Sequence, residues 1–517
     1  MEIQTLNPTT PRQRQRIEAF LKRNGLRFDD MHYYAAITDD DGEMIAGGGL
    51  KDNVIKCVAV DDAHKGEAIA NTLISHLIAH ANEEGHSNVM LFTKPKNRQL
   101  FESLSFRLLA EAPEAVLMET GIGGINNMVE QLKKIKEEGE VCKENNQGCK
   151  KEEKTNLNIT TPQHLNPSTP QPLTTTTPLR GVVVMNCNPF TLGHRYLIEQ
   201  AAKQVERLFV MVVREDCSLF AYAERKAMVE QGVTHLENVT VIDGSEYAIS
   251  QATFPTYFLK RLDDAADTQM LLDLDLFRRH IAPALGATVR FVGTEPTDRL
   301  TRRYNQLMHE VLADVRETVR LEKDGNAVSA SRVRKAMEQG DMSTIRQLVP
   351  PTTLPYIIAH LATQALQAEL DTTPKPGLVD KDNNGAHRDM DYALMQRSID
   401  TLHPYFVKLA LLGCADALPT HTSIRDIGIE AEKAMLSATN GVNTHKGALF
   451  SMGLAVVAAA HEERKIAANE EQILKERNGG EDVLVSLQTT INALAHSFPA
   501  TNGTHRSKPN LLSSGPP

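Results

Sequence analysis

The chain of 517 residues has no tryptophan, few aromatic residues and six scattered cysteines. The cysteines stand at positions 57, 142, 149, 187, 217 and 414, and none belongs to a Cys-x-x-Cys pair. We therefore expect neither a protein metal site nor a disulfide framework. No window of about 18 apolar residues occurs, and no charged leader precedes an apolar stretch at the N-terminus, so we expect a cytoplasmic protein that has no membrane partner.

Basic side chains are also fewer than acidic ones. The chain carries 56 basic and 66 acidic side chains, which gives a formal net charge of −10. This balance disfavours nonspecific binding to nucleic acid, and we expect no nucleic-acid partner. The length predicts roughly two to four domains, each large enough to bury a core of its own.

One segment, GVVVMNCNPFTLGH over Gly181–His194, predicts a phosphate-binding turn. Its run VVVM is short and apolar without alternation, which is typical of a buried parallel strand. An Asn-Pro dipeptide ends the strand, and Gly193 allows close approach of the backbone to a ligand. Apolar residues at helical spacing follow, so free N–H groups of a helix start face outward and attract phosphate. Thr191 and His194 would add a hydroxyl and an imidazole, although a plain turn with one surface histidine gives the same pattern.

A second segment, VSASRVRKAM from Val328, predicts an anion-binding helix start. Ser329 and Ser331 stand just before a helical pattern, where serine is a natural N-cap. Arg332 and Arg334 lie in the first turn, where positive charge opposes the helix dipole. Two arginines at such a place indicate a bound anion.

Two further stretches are candidates for nucleotide contacts. Phe291–Pro296 reads as a strand running into a turn, where Gly293, Thr294 and Glu295 could meet a base or ribose. Arg225 opens another predicted helix and could reach phosphate, although taken alone it is better explained as a solvated helix arginine.

The first turn is similar to the (H/T)xGH signature of the nucleotidyltransferase superfamily, and the second segment resembles its serine-rich helix start that ends in arginine. Members of the superfamily direct attack on the α-phosphorus of a nucleoside triphosphate. The two segments are roughly 140 residues apart, which fits opposite ends of one α/β domain. The resemblance implies a Rossmann-like central domain of the HUP type over residues 179–350.

Residues 1–120 read as a separate unit of alternating strands and helices. The predicted strands are Tyr33–Ile37, Met44–Leu50, Val54–Val60 and Val89–Thr93. With the helix that follows His64, this order is similar to the GNAT acetyltransferase fold. The resemblance implies an α+β domain in which the loop with Lys65, Gly66 and Ala68 wraps a CoA-like pyrophosphate, and Asn97 and Phe101 flank a pantetheine arm. The sequence shows no obvious general base for acetyl transfer.

The remaining segments differ in composition. Residues 121–178 begin with a predicted helix at Ile125–Lys136 and continue from 140 as a charged and then Thr/Pro-rich linker, which we expect to be disordered. Residues 352–465 read as nearly all helix, and 466–517 as a disordered tail. The four helices of the all-α segment are predicted at Ile357–Leu370, Tyr392–Leu412, Ile424–Ser437 and Gly447–His461.

Two polar loops interrupt these helices. One contains Asp380 in TPKPGLVD, and the other contains His445 and Lys446 in GVNTHKG. Such groups at helix entries suit a polyphosphate with Mg²⁺, and ordinary capped turns would give the same pattern.

Over residues 1–356, apart from the linker, the chain resembles the [citrate (pro-3S)-lyase] ligase family through MNCNPFTLGHRYLIEQA, SLFAYAERKAMVEQG and VSASRVRKAM. Residues 352–465 resemble the first part of triphosphoribosyl-dephospho-CoA synthases through TPKPGLVD, GAHRDM and GVNTHKGALFSMGL. The later motifs of that family are missing, so we expect an inactive synthase segment.

The resemblance implies an ATP- and Mg²⁺-dependent enzyme that activates acetate as acetyl-adenylate. The acetyl group then passes to the thiol on the acyl-carrier (gamma) subunit of citrate lyase.

His194 and Thr191 would contact the α-phosphate, and Ser331 and Arg334 would contact the β- and γ-phosphates. The other implied ATP-binding residues are Met185, Asn186, Asn188, Pro189, Phe190, Gly193, Arg225, Gly293, Thr294, Glu295, Ser329 and Arg332. The GNAT-like domain would hold the CoA-like arm.

Two alternative functions stay open: an adenylyltransferase of the pantetheine or nicotinamide nucleotide type, and a non-catalytic scaffold.

Overall fold

The structure is a computed structural model that describes residues 3–64, 67–149, 179–214, 218–244, 247, 257–258, 263–296, 298–468 and 480–498. The chain divides into two compact units. The first comprises Met1–Asn188 and Gly193–Val328, and the second comprises Pro189–Leu192 and Ser329–Pro517.

The N-terminal part of the first unit is a seven-stranded sheet with the order β1-β2-β3-β4-β5-β7-β6. The elements are β1 (Ile3–Leu6), α1 (Pro11–Arg23), β2 (Tyr33–Thr38), β3 (Met44–Lys51), β4 (Val54–Val60), α2 (Glu67–Glu83), β5 (Asn88–Thr93), α3 (Arg98–Ser103), β6 (Arg107–Glu111), β7 (Val116–Gly121) and α4 (Ile125–Cys149). The four strands predicted from the sequence are therefore confirmed. The remaining strands β1, β6 and β7, which lie at or next to the two edges of the sheet, were not predicted from the sequence.

Strands β4 and β5 form the only parallel pair of this sheet, and they separate after two residues. Val54 pairs with Met90 and Ile55 with Leu91, and no further pairs follow. Beyond this point the strands flank a cavity of about 860 Å³, which both strands line. Strand β4 also has a bulge here, which is seen as a shift in its register with β3 between Gly47 and Gly49.

The central part of the first unit is a five-stranded parallel sheet with the order β10-β9-β8-β11-β12. Its elements are β8 (Arg180–Met185), α5 (Leu192–Ala202), β9 (Arg207–Val212), α6 (Tyr222–Gly232), β10 (Val239–Asp243), α7 (Asp263–Leu276), α8 (Ala282–Leu285), β11 (Val289–Gly293), α9 (Arg299–Val311) and β12 (Val315–Thr318), with a short hairpin β13 (Glu322–Lys323) and β14 (Asn326–Ala327). The order reverses between β8 and β11, and ligands of such sheets bind outside the carboxyl ends of the strands at this switch point.

Polar contacts join the two sheets within the first unit. The buried carboxylate of Asp275 accepts a hydrogen bond from the Glu111 backbone N–H at 2.9 Å. Arg207 donates to the carbonyl oxygens of Ile135 and Lys136 in α4. These contacts join one backbone N–H of β6 and two carbonyl oxygens of α4 to the central part, and the two sheets also share an apolar core.

The second unit is helical. It contains α10 (Ala330–Glu338), α11 (Met342–Leu348), α12 (Leu354–Asp371), α13 (Tyr392–Gly413), α14 (His421–Ala438), α15 (Lys446–Ala468) and α16 (Gly480–Ser497). Apolar residues of α12 to α16 form one core around Ile399, Leu402 and Phe406 of α13. The four predicted helices are confirmed.

Two predictions of disorder need correction. Helix α16 occupies Gly480–Ser497, where a tail without structure was expected from 466 onward, because Leu494 and its partly buried neighbours pack on the helical core. Helix α4 also extends to Cys149, so the predicted disorder is wrong for 140–149. The rest of the predicted linker, 150–178, lies outside the described residues.

Candidate nucleotide-binding site

His194 lies in the first turn of α5, directly after the turn at the end of β8. Burial and, to a smaller extent, the charge of the nearby Arg320 guanidinium lower the pKa of its imidazole to about 4. The imidazole is therefore neutral at pH 7 and can donate one hydrogen bond. A neutral donor beside the positive end of a helix is suited to a phosphate oxygen.

Arg320 is a site residue that the sequence analysis missed. Its Nε donates to the Thr294 carbonyl oxygen at 2.6 Å, and its Nη2 donates to the Glu295 carboxylate. These contacts hold the guanidinium at the carboxyl end of β11, where its charge acts on His194. Glu295 was the one sequence feature that pointed to a nearby cation such as Arg320, because a buried carboxylate is normally paired with a positive charge.

The turn after β8 is braced from inside. Arg225 is fully buried in α6, and its guanidinium donates to carbonyl oxygens of Asn186, Val213 and Phe220. The Asn188 side chain accepts a hydrogen bond from the Phe220 backbone N–H at 3.1 Å. Arg225 thus holds the loop together by these bonds, which is a different use of the guanidinium from the phosphate contact expected from the sequence. Met185, the last residue of β8, and Cys187, in the turn that follows, are both buried.

A second cavity, of about 310 Å³, opens at the carboxyl end of β11. Thr294 and Glu295 line it together with Asn305, His309 and Glu317. The Asn305 side chain donates to the Gly293 carbonyl oxygen at 3.0 Å, which fixes the backbone at the cavity wall. The cavity therefore brings Thr294 and Glu295, two of the three predicted base- or ribose-binding residues, together with polar groups of α9.

The second sequence signature lies in the second unit. Ser329 is the N-cap of α10, as predicted, and its hydroxyl accepts a hydrogen bond from the Arg332 backbone N–H. Ser331 and Arg334 are three residues apart and so share one face of the helix, whereas Val333 is buried. The loop residues Pro189, Phe190 and Thr191 belong to the same unit.

Thr353 secures that loop. Its hydroxyl donates to the Phe190 carbonyl oxygen at 3.1 Å, and both residues are buried. Phe190 and Thr191 are almost fully inaccessible to solvent. The loop is therefore held through its backbone by a residue more than 150 positions away, a contact that no local pattern indicates.

The cavity between β4 and β5 contains two of the residues expected to bind a CoA-like arm. Asn97 and Phe101 line it, and Asn97 donates to the Thr93 hydroxyl at 2.9 Å. Tyr257 and Phe258, from the central part of the unit, complete its wall. Ala68 is exposed in α2 and is not part of the lining. The predicted loop residues Lys65 and Gly66 lie outside the described residues.

The polar loops of the helical segment are mostly satisfied by their own contacts. The Asp380 carboxylate accepts hydrogen bonds from the backbone N–H groups of Lys375, Asp382 and Asn383. Lys446 pairs with Glu432 at 2.6 Å. His445 is buried, and burial lowers the pKa of its imidazole. The Asp380 carboxylate therefore stabilises the conformation of its own loop through these hydrogen bonds.

Comparison with known proteins identifies the family. Residues 180–357 match the model of the citrate lyase ligase C-terminal domain, and residues 1–106 match the GNAT acetyltransferase family. The "[Citrate [pro-3S]-lyase] ligase" of Klebsiella pneumoniae is 38% identical over 354 residues, which are 67% of this chain and 92% of the relative. The chain belongs to the [citrate (pro-3S)-lyase] ligase family. The Escherichia coli (strain K12) ligase is 37% identical over 352 residues, 66% of this chain and 89% of the relative.

A further segment of this ligase-family chain is similar to a second family. Residues 355–500 match the model of the ATP:dephospho-CoA triphosphoribosyl transferase. A "2-(5''-triphosphoribosyl)-3'-dephosphocoenzyme-A synthase" of Pectobacterium atrosepticum is 46% identical over 137 residues, 26% of this chain and 41% of the relative. The chain thus spans less than half of that synthase. In the ranges that the structure describes, none of the helices is long and apolar enough to cross a membrane.

Proposed function

We propose that this protein acetylates the thiol of the citrate lyase acyl-carrier subunit at the expense of ATP. In the first step an acetate oxygen attacks the α-phosphorus of ATP, and pyrophosphate leaves to give acetyl-adenylate. In the second step the carrier thiol attacks the acetyl carbonyl, AMP leaves, and the thiol proton goes to solvent. The family membership supports this reaction, and His194, held neutral at the start of α5, is the observation that carries it.

The first step requires stabilisation of charge that develops on the phosphate oxygens. The imidazole N–H of His194 can donate a hydrogen bond to an α-phosphate oxygen as negative charge develops there. Arg320 adds positive charge at the carboxyl end of the neighbouring strand β11, and its bonds to Thr294 and Glu295 hold it in place before ATP binds. Such prior organisation lowers the barrier because no rearrangement is needed during reaction.

The leaving pyrophosphate needs a separate set of donors. We propose that Ser331 and Arg334 contact the β- and γ-phosphates, because they share one face of α10 near its N-terminus. We propose that Thr191, buried in the loop that leads into α5, holds that loop against the α-phosphate, and Ser329 serves as the cap that orders the helix start. We propose that Mg²⁺ accompanies the triphosphate as its counter-ion.

We further propose that the cavity between β4 and β5 binds part of the CoA-like arm of the carrier. Its volume of about 860 Å³ and its apolar lining, which includes Phe101, suit an elongated ligand. Lys94 and Lys96 stand at its rim and provide positive charge for phosphate groups.

The decisive experiment measures pyrophosphate exchange into ATP with the full-length chain. We expect exchange that depends on acetate, and transfer of the acetyl group when a thiol acceptor is added. Exchange that depends on phosphopantetheine or nicotinamide mononucleotide instead would establish the adenylyltransferase alternative. A folded chain that supports neither exchange would establish the scaffold alternative.

A further inference from the structure

A cavity of about 300 Å³ lies between helix α4 and the carboxyl edge of the central sheet. The floor of this cavity is formed at the ends of two neighbouring strands by Met211 of β9 and by Asp243 and Gly244 of β10. The first turns of α4 and the start of β5 form the opposite wall. We call this space the strand-end cavity.

The strand-end cavity opens on the same sheet edge as the turn with His194. Asp243 pairs with Val212, and Val212 pairs with Met185, so the last residues of β10, β9 and β8 form one row. Neighbouring strands are about 4.8 Å apart, which puts the end of β10 about 10 Å from the end of β8. A ligand in the cavity therefore lies within a short reach of a group bound after β8.

The lining combines amide groups with apolar contacts. Asn88, Asn127 and Gln131 bring three side-chain amides to the cavity. Met128 and Leu132 of α4 present apolar surface between them. Side-chain amides can donate to and accept from the amide groups of a ligand, and apolar side chains contact the methylene groups between those amides. This combination fits an extended chain of amides and methylenes, and Arg214 and Asp243 add one charge of each sign to the lining.

Tyr247 closes the cavity at one end and is itself fixed. Its hydroxyl donates to the fully buried carboxylate of Glu119, which also accepts a hydrogen bond from the Asn88 side chain at 2.8 Å. Arg107 pairs with the same carboxylate at 2.8 Å. The polar wall is thus held in place by a satisfied network, as a preformed binding site requires.

We propose that the strand-end cavity binds the thiol-terminal, amide-containing part of a pantetheine-type arm and directs its thiol to the acyl-adenylate at the end of β8. The inference rests on the proposed function. The step it serves forms a thioester bond from the thiol sulfur to the acetyl carbonyl carbon, breaks the bond from that carbon to the AMP oxygen, and releases the thiol proton to solvent.

The wide cavity between β4 and β5 is compatible with this assignment. Strand β5 joins the two sites, with Ser87 and Asn88 at the strand-end cavity and Phe92 and Thr93 at the wide one. Five residues of strand span roughly 17 Å. A CoA-like group with a nucleotide at one end and a thiol at the other is long enough for separate parts to occupy the two sites.

The test compares two thiol acceptors in a matched pair of variants. Pantetheine carries a thiol and two amides, whereas cysteamine carries a thiol and no amide. Gln131→Trp fills the strand-end cavity from an exposed helical position, and Glu130→Trp puts the same side chain at the neighbouring exposed position outside the lining. Gln131→Leu, which removes the amide with little added bulk, is the milder variant.

We expect Gln131→Trp to raise the KM for pantetheine by about tenfold or more relative to Glu130→Trp, the effect of losing one or two hydrogen bonds. Gln131→Leu should raise it several-fold, and the KM for cysteamine should stay within about twofold in both. Equal pantetheine KM values in the three variants would overturn the inference.

Acetate-dependent pyrophosphate exchange, measured in the same preparations, separates the two proposals. Exchange in all variants together with an unchanged pantetheine KM contradicts the strand-end cavity assignment alone. Absence of exchange in the unmodified chain contradicts the proposed function, and with it the assignment.

Discussion

The guanidinium of Arg225 donates to the backbone carbonyl oxygen of Asn186 at 2.7 Å and to its side-chain oxygen at 2.6 Å. The same group donates to Val213 and Phe220, so one buried side chain ties together the ends of β8 and β9 and the entry to α6. The turn that precedes His194 is therefore shaped by an arginine 31 residues further along the chain.

Replacement of Arg225 should destabilise the first unit. Arg225→Met retains the apolar stem but leaves several carbonyl oxygens without a donor, and each buried unsatisfied group costs about 1–3 kcal/mol. We expect a loss of about 2–4 kcal/mol in the free energy of unfolding, measured by urea denaturation. Lys226→Met, at the next position, removes partly exposed pairs with Asp243 and Glu230 and should cost at most about 1 kcal/mol. Equal losses in the two variants would contradict the bracing role.

His194→Ala should abolish acetate-dependent pyrophosphate exchange while the fold is retained. Loss of one donor to a developing phosphate charge reduces the rate by about 10²–10³-fold. Arg195→Ala changes the next residue of α5, whose side chain pairs with Glu199 at the surface, and should keep nearly full activity. A folded His194→Ala protein with more than about a tenth of the original rate would show that the imidazole is not needed.

The pH dependence of stability follows from the pKa of His194. Above pH 6.5 the imidazole is neutral in both the folded and the unfolded chain, so it contributes no pH dependence. Between pH 6.5 and about 4 the unfolded imidazole binds a proton and the folded one does not, so stability falls as the pH is lowered through this range. Urea denaturation at several pH values should show a weaker decline in His194→Gln than in the unmodified chain. A parallel decline in both would place the pKa of His194 near its ordinary value.

Arg334→Ala should impair ATP use more than Arg332→Ala. Arg334 shares a helix face with Ser331, whereas Arg332 is turned about 100° away from Ser331 around α10. We expect the larger increase in the KM for ATP in the exchange reaction with Arg334→Ala. Equal increases, or a larger one for Arg332→Ala, would show that the other face of α10 contacts the phosphates.

The helical segment should not release adenine from ATP when dephospho-CoA is present. It matches less than half of a synthase, and the carboxylate of Asp380 is engaged by three backbone N–H groups. Groups on only one side of a substrate do not create the geometry for attack at a ribose carbon. Chromatography of the incubated full-length chain tests this, with His445→Ala as the control. Steady adenine release that is lost in His445→Ala would identify a working synthase.

Much of the fold follows from local patterns. The run VVVM before an Asn-Pro turn predicts strand β8, and the serine before an amphipathic stretch predicts the cap of α10, because both depend on residues close together in sequence. The same proximity explains the four confirmed helices of the second unit. Helix α16 was missed because it follows a polar stretch and depends on packing against the helical core for its burial.

The sequence by itself determined the chemistry that is available: a histidine at the start of α5, a capped helix start with two arginines, and the family to which these signatures belong. Only the tertiary structure decided how that chemistry is arranged. It put Arg320 near His194 and took Arg225 into the interior, and it aligned Met185, Val212 and Asp243 in one row at the sheet edge. These relationships join residues that are tens to more than a hundred positions apart, and hydrophobic periodicity carries no information about contacts at such separations.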